Sequence, residues 1–232
     1  MKKKIIVTTS WDDGHILDLK LAKLLIKYSI KSTFYISPNA SEFKKDQLLS
    51  EKDIVLLSKD FEVGAHTVNH VNLPHVDEKT AVREISESKN YLEKLIKRKI
   101  YSFCYPYGNY NDEIKKIVKN SGFTFARTTR RHRFILLNDN YEIGTSVHAY
   151  SHLSDLIDLK TLISNKTIIW DKIAIKRFDE VYRKGGIFHL WGHSWEVEKF
   201  DQWEQLEKVL SYIGNRKGVK YATNTDVLEY GK

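Results

Sequence analysis

Short apolar runs alternate with helix-like repeats along most of the chain. The apolar runs predict strands at residues 4–9, 32–36, 61–65, 100–105, 123–127, 143–147, 187–191 and 219–222. Between several of these runs, apolar residues recur at spacings of three and four, which is typical of amphipathic helices. This order of strands and helices favours a parallel sheet with helices outside it, either open or closed into a barrel.

Four predicted helices each have one apolar face. Their faces comprise Leu17, Leu21, Leu24, Leu25 and Tyr28; Val82, Ile85, Leu92, Leu95 and Ile96; Ile114, Ile117 and Val118; and Trp203, Leu206, Val209, Leu210 and Ile213. Asn111 and Asp201 are predicted N-caps, and Gly122 and Gly214 stand where helices would end. Residues 128–170 are the least regular part, and we predict a long loop with short strands there.

Length and composition predict a single domain over residues 1–232. A hydrophobic content of 41% is enough for a substantial core. No apolar run approaches the roughly 20 residues that cross a membrane, so we expect no stable membrane insertion. The net charge of +8 comes from scattered lysines without an arginine-rich stripe. This pattern favours a solvated basic surface and no nucleic-acid partner.

The N-terminus and the single cysteine bear on the compartment. The apolar run Ile5-Ile6-Val7 is much shorter than the about 7–15 residues of a secretion signal, so it is interpreted as a first strand. Without such a signal, we expect a cytoplasmic protein. One cysteine, Cys104, excludes an internal disulfide and a cysteine-based zinc site.

Three separated segments carry the residues that metal-dependent hydrolysis needs. Each follows a predicted strand, and in α/β folds the C-terminal ends of the strands carry the catalytic groups. Together they supply two carboxylates, a histidine pair and a distal histidine, which suffice to bind a divalent metal, activate water and protonate a leaving group. The segments are Ser10-Trp11-Asp12-Asp13-Gly14, His66-Thr67-Val68-Asn69-His70 and His193-Ser194-Trp195-Glu196.

The spacing within these segments indicates which residues bind the metal and which face the substrate. His66 and His70 are four residues apart, so on a helical turn both imidazoles would face one ion. Asp12 and Asp13 are neighbours on an extended segment and should point in opposite directions, one to the metal and the other to the substrate. A His-His-Asp set with open positions is typical of a catalytic site. Zn²⁺ is the leading candidate, with Co²⁺, Ni²⁺ or Mn²⁺ as alternatives.

At these positions the chain resembles the polysaccharide deacetylase family, the NodB-homology domain of carbohydrate esterase family 4, over residues 4–228. The family's Thr-Phe-Asp-Asp-Gly motif is met by residues 10–14, its His-Ser/Thr-x-x-His motif by residues 66–70 and its Pro-Tyr-Gly motif by residues 106–108. Residues 192–196 are similar to a His-Pro-Trp-Glu variant. The resemblance implies a distorted (β/α)7 TIM-like barrel.

The resemblance also implies a reaction and residue roles. The reaction is metal-dependent hydrolysis of a carbon–nitrogen bond that removes N-acetyl groups from an amino sugar, its oligosaccharide or its polysaccharide. The implied roles are Asp12 as general base, His193 as general acid, the backbone N–H of Tyr107 as oxyanion donor, Asp13, His66 and His70 as metal ligands, and Thr67 as a brace of the metal loop.

Two departures from the family pattern stand out. Many members carry arginine two residues before the Pro-Tyr-Gly motif, where Cys104 stands here, and the aspartate that tunes the acid histidine is not found. Arg127 ends the fifth predicted strand and is expected to orient a carboxylate in place of the missing arginine. Aromatic rings pack well on sugars, and the predicted substrate-binding residues are Pro106, Tyr107, Trp191, Trp195 and Arg127.

Two other functions remain open from the sequence. The same metal site can serve a small non-sugar amide or ureide. Alternatively, the chain is a glycan-binding domain with a dead site, against which the complete set of acids and histidines argues.

Overall fold

Strands and helices alternate along the chain in the computed structural model, which describes residues 3–131, 139–150 and 170–230. In order these are β1 (Ile5–Trp11), α1 (Asp18–Lys27), β2 (Ser32–Ile36), α2 (Glu51–Leu57), β3 (Glu62–Ala65), α3 (Glu78–Ile96), β4 (Ser102–Cys104), α4 (Asp112–Asn120), β5 (Phe125–Arg127), β6 (Val147–His148), α5 (Trp170–Lys184), β7 (Gly186–Gly192), α6 (Ser194–Lys199), α7 (Trp203–Ile213) and β8 (Val219–Tyr221).

The sheet is parallel, and β1 lies at its centre. The strand order is β5-β4-β3-β2-β1-β7-β6, with β8 also paired to β1. Along one side, β1 pairs with β7 over its full length. Along the other side, its last three residues pair with β2 and its first three with β8. The C-terminal end of β1 therefore stands in the middle of the sheet's C-terminal edge, and the predicted α/β class is confirmed.

The two faces of the sheet differ in chemistry. One face carries the apolar core beneath the helices, including Val7 and Trp11 of β1. Side chains that alternate with these form a buried polar network, in which Thr8 contacts Asn224 at 2.9 Å and Ser10 contacts His189 at 2.8 Å. Asn224 also donates to Tyr35 at 2.8 Å. The inner face is therefore a hydrogen-bonded polar column, and Asp12 continues it at its upper end.

The strand predictions hold to within a few residues except near the sixth strand. The predicted strand at 143–147 is wrong, because Ile143 forms an isolated parallel bridge to Arg127. The chain reaches β7 only at Val147, where β6 begins. Residues 132–138 and 151–169, much of the segment predicted to be irregular, lie outside the described residues.

The four predicted helices are present, but α2, α5 and α6 were not predicted. The seven residues of α2 and the six of α6 are too short to show a helical period, and α5 begins at the end of the irregular segment. Asn111 caps α4 by accepting from Ile114 N, as predicted. The cap predicted at Asp201 is wrong, since α7 begins after Gln202. Within the described ranges, no helix is long and apolar enough to cross a membrane.

Candidate active site

The C-terminal edge of the sheet opens into a cavity of about 710 Å³. Eight residues that the sequence singled out line it, namely Asp12, Asp13, His66, His70, Tyr107, Trp191, His193 and Trp195. The sequence reasoning missed several other lining residues, among them Glu42, Phe43, Tyr105 and Thr129. His148, one of several histidines in the irregular segment, also lines the cavity. Residues from distant parts of the chain thus meet in one cleft.

Three ligand atoms converge on a single point of this cleft. Asp13 Oδ1 lies 3.6 Å from His66 Nε2 and 3.4 Å from His70 Nε2. A tetrahedral Zn²⁺ with bonds of about 2.0–2.1 Å holds its ligand atoms about 3.3 Å apart. Asp13 Oδ1 is also buried, and no donor in residues 3–131, 139–150 or 170–230 forms a hydrogen bond with it. The donor set therefore fits a divalent cation.

The loop at residues 66–70 brings the two histidines together without a helix. The predicted helical turn is wrong, because Thr67 and His70 have φ of +62° and +57°. Buried Glu84 of α3 fixes this loop by accepting from the backbone N of Asn69 at 2.9 Å and from its side chain at 2.5 Å. The buried Thr67 hydroxyl has no hydrogen-bond partner among the described residues, so the predicted brace is not found.

The second ring nitrogen of each histidine has its own partner. His66 Nδ1 lies 2.7 Å from the carbonyl oxygen of Cys104, and His70 Nδ1 lies 2.6 Å from Glu42 Oε1. Hydrogen bonds of this kind select the tautomer that leaves Nε2 free to bind a metal. Burial lowers the pKa of His66 to about 4, which keeps its imidazole neutral.

A buried ion pair joins Asp12 to Arg127. Arg127 Nη2 donates to Asp12 Oδ2, and the arginine side chain is completely buried. Burial alone would raise the pKa of Asp12, but the charges of Arg127, His66 and His193 outweigh it and lower the pKa to about 2. The carboxylate is therefore ionised. Its Oδ1 has no hydrogen-bond partner within the part of the chain that the structure describes.

Cys104 makes room for this guanidinium. Cys104 and Arg127 are direct partners in the register of β4 and β5, and Sγ lies 2.9 Å from Nη2. A positive charge thus reaches Asp12 from β5 rather than from position 104, in agreement with the prediction that Arg127 orients a carboxylate. The prediction that Arg127 also binds substrate is wrong, because its side chain is completely buried.

His193 is the N-cap of α6 and is held from behind by a carboxylate. Its Nδ1 lies 2.5 Å from Glu196 Oε2, and the same oxygen lies 3.0 Å from His148 Nε2. Burial alone would lower the pKa of His193, but Asp13, Glu196 and Asp12 outweigh it and raise the pKa to about 9. Glu196 thus occupies the place of the acid-tuning group not found in the sequence. Its position three residues after His193, at the start of a helix, is the sequence signal that could have identified it.

A further buried carboxyl lies behind the site. Asp18, in the first turn of α1, is completely buried, and burial raises its pKa well above the usual range. Burial therefore favours the neutral form of this carboxyl, close to Asp12 and Asp13. Nothing in the sequence singles it out, because acidic residues are common in the first turn of a helix.

A tight turn at residues 106–108 presents Tyr107 to the cleft. Tyr107 is 53% exposed and has φ of +58°. Gly108 follows at φ of +72°, and a Cβ there would lie 2.1 Å from Thr129 Oγ1, so only glycine fits. Pro106 is buried and does not line the cavity, which corrects its prediction as a substrate-binding residue.

The two tryptophans predicted to bind substrate differ in how much of their rings a ligand could contact. Trp191 is only 5% exposed, and His148 stacks on its ring with centroids 3.9 Å apart. Most of the Trp191 ring is therefore covered, which leaves little of it for the predicted contact with substrate. Trp195 is half-buried, meets Phe43 edge to face and donates from Nε1 to Asp13 Oδ2 at 2.8 Å. Trp195 therefore also orients Asp13, a candidate metal ligand.

Comparison with known proteins now identifies the family. Residues 1–126 match the sequence profile of polysaccharide deacetylases. The chain belongs to the polysaccharide deacetylase family. Among curated relatives of this deacetylase-family chain, the poly-β-1,6-N-acetyl-D-glucosamine N-deacetylase of Staphylococcus aureus (strain MSSA476) is 25% identical over 146 residues. That match covers 56% of this chain and 50% of the relative, so the chain spans about half the length of such proteins.

Solved structures confirm the fold. A Mycobacterium smegmatis protein, provisionally named a polysaccharide deacetylase, superposes with a TM-score of 0.71 at 13% identity, covering 99% of this chain and 91% of the other. The Streptococcus pyogenes deacetylase PplD, solved with acetate, gives a TM-score of 0.56 at 24% identity, covering 59% and 62%. The predicted distorted (β/α)7 barrel class of the family is therefore confirmed.

Replacing Arg127 tests the buried ion pair. We expect Arg127→Met to lower the free energy of unfolding at pH 7 by about 3–5 kcal/mol, because it leaves a buried carboxylate unpaired. The native pair lowers the pKa of Asp12 from 3.8 to about 2, so its contribution is full above 3.8 and is lost as pH falls toward 2. The difference between wild type and variant should therefore shrink in urea unfolding as the solution is acidified.

The matched control for this prediction is Arg130→Met. Arg130 is half-exposed on the same segment and pairs with Glu142 at 3.5 Å, so its loss should cost less than about 1 kcal/mol. Equal losses of unfolding free energy in the two variants would contradict the proposed contribution of the buried pair to stability.

Proposed function

We propose that this protein is a metal-dependent N-deacetylase that removes acetyl groups from N-acetylated amino sugars, as monomers, oligosaccharides or polysaccharides. One observation carries the proposal, namely the convergence of Asp13, His66 and His70 beside ionised Asp12 in a cleft that His193 also lines. The name of the staphylococcal relative supports glucosamine polymers as the first substrates to test.

The three converging residues would hold the cation. Zn²⁺ is the leading choice for one carboxylate and two imidazoles, with Co²⁺, Ni²⁺ and Mn²⁺ as alternatives. When bound, a divalent cation lowers the pKa of a coordinated water toward about 7 and polarises the substrate carbonyl.

Asp12 is proposed to take the proton of the attacking water. Arg127 holds one of its oxygens, and no described residue forms a hydrogen bond with the second oxygen. Its low pKa keeps the carboxylate ionised before the reaction. The ion pair also fixes the Asp12 carboxylate in one orientation, which general-base catalysis requires.

The remaining groups act on the carbonyl oxygen and on the leaving nitrogen. The backbone N–H of Tyr107 is proposed to donate to the oxygen as negative charge develops on it. Water oxygen bonds to the carbonyl carbon, the carbon–nitrogen bond breaks, and protonated His193 gives its proton to the nitrogen. The products are acetate and a free amine. Phe43, Tyr107 and Trp195 form the aromatic sides of the cleft, where a sugar ring would pack.

Asp12→Asn tests the function directly. Zinc-loaded wild type is expected to release acetate from N-acetylglucosamine oligomers. Asp12→Asn should retain zinc but lose about 10²–10⁴-fold in kcat, since its amide cannot take the proton. Asp13→Asn should instead lose zinc as well. Metal content and acetate release are measured on the same samples.

Other outcomes of this experiment point to other functions. Zinc binding without acetate release from any sugar would favour a small amide or ureide substrate. Neither zinc nor acetate would favour a glycan-binding domain. Full activity in Asp12→Asn would remove Asp12 as the base.

Glu196→Gln tests the assignment of His193 as the acid. The acid must be protonated, so activity is expected to fall as pH rises through a pKa of about 9. Glu196 is one of the groups that raise this pKa, so its neutral replacement should move the alkaline limb of kcat/KM down by about one pH unit or more. Glu198→Gln, an exposed change on the same helix, is the control. Identical pH profiles of kcat/KM for wild type, Glu196→Gln and Glu198→Gln would refute the assignment of His193 as the acid.

A further inference from the structure

Glu42 connects two parts of the site that are far apart in sequence. It lies on the loop between β2 and α2, outside every family motif. Its Oε1 lies 2.6 Å from His70 Nδ1 and accepts from the Tyr107 hydroxyl at 2.5 Å. One carboxylate oxygen therefore contacts both a candidate metal ligand and the candidate oxyanion residue.

The contact with His70 determines which nitrogen faces the cation position. A carboxylate only accepts hydrogen bonds, so Nδ1 carries the proton and Nε2 keeps its lone pair. That Nε2 lies 3.4 Å from Asp13 Oδ1. His70 needs this support because its backbone is in the left-handed region, at the end of a loop rather than on a helix. Partners of this kind typically change metal affinity about 10–100-fold when removed.

The contact with Tyr107 ties down an exposed residue. Tyr107 is 53% exposed, and its backbone, like that of His70, is in the left-handed region. Its ring centroid lies 4.6 Å from that of His70. The hydroxyl bond to Glu42 anchors the far end of the side chain. The turn that carries the proposed oxyanion donor is thereby joined to the loop that carries the metal ligand.

We propose that Glu42 is a positioning residue that orients His70 for the metal and holds the Tyr107 turn over it. The inference rests on the proposed metal site but not on the identity of the substrate. Two short hydrogen bonds to one oxygen distinguish Glu42 from an ordinary surface carboxylate. Asp46, exposed on the same loop, provides the matched control.

Zinc affinity without substrate is the first measurement, by competition with a chromophoric chelator. Glu42→Ala should bind zinc about 10–100-fold more weakly than wild type, and Glu42→Gln should fall between them, since the amide keeps the shape but loses the charge. Tyr107→Phe and Asp46→Asn should bind zinc as wild type does. A merely structural role of the loop would not separate Glu42 from Asp46 in this way.

Turnover at saturating zinc is the second measurement. Glu42→Ala and Tyr107→Phe should each lose about tenfold or more in kcat, part of the 10²–10³ that a lost oxyanion donor costs. The double variant should be no slower than Glu42→Ala, because both changes break the same link. Additive losses would overturn the coupling.

The outcomes separate this inference from the proposed function. Equal zinc affinity in Glu42→Ala and Asp46→Asn would overturn the role of Glu42 alone. Wild type that binds no zinc would overturn the metal site and the inference together. Weak zinc binding in Glu42→Ala with no acetate release by wild type would support Glu42 and refute the deacetylase proposal.

Discussion

The buried pair of Arg127 and Asp12 is the interaction on which the site depends. Removing two charges from water costs several kcal/mol per ion, and only close pairing and further hydrogen bonds offset it. Here the pair stands at the top of a polar column, and the guanidinium carbon lies 4.8 Å from the Trp191 ring centroid. The pair keeps Asp12 ionised, uses one of its oxygens and leaves the other available to a reacting group.

The end of β1 then divides the work between two adjacent carboxylates. Asp12 continues the strand and meets Arg127, whereas Asp13 has φ of +80° and turns toward the histidines. His66 and His70 are each held from behind by an acceptor on another part of the chain, and His193 is held by Glu196 of its own helix. The orientations of His66 and His70 are therefore fixed by partners outside the motifs, whereas His193 is held by a residue of its own segment.

The sequence was sufficient for the parallel α/β fold and for eight of the residues that meet in the cleft, because periodicity and strand ends are local properties. It was not sufficient for the supporting partners. Glu42 and Glu84 lie at separations of 28 and 15 residues from the loop residues they bind, and no spacing rule connects them.

Backbone conformation was the second property that the sequence did not predict. Positive φ at Thr67 and His70 replaced the expected helical turn, and non-glycine residues give little warning of it. How much of the Trp191 ring is covered depends on His148, and the burial of Arg127 depends on the small size of Cys104. Both are packing relations between strands. Glu196, three residues after His193, was visible in the sequence but not recognised as its partner.

Anomalous diffraction at the zinc edge from zinc-soaked crystals tests the central claim most directly. The account predicts a peak about 2.0–2.2 Å from Asp13 Oδ1, His66 Nε2 and His70 Nε2. Another described group with ligand-like spacing is His148, His193 and Glu196. A peak there with none at Asp13, or no peak at all, would contradict the account.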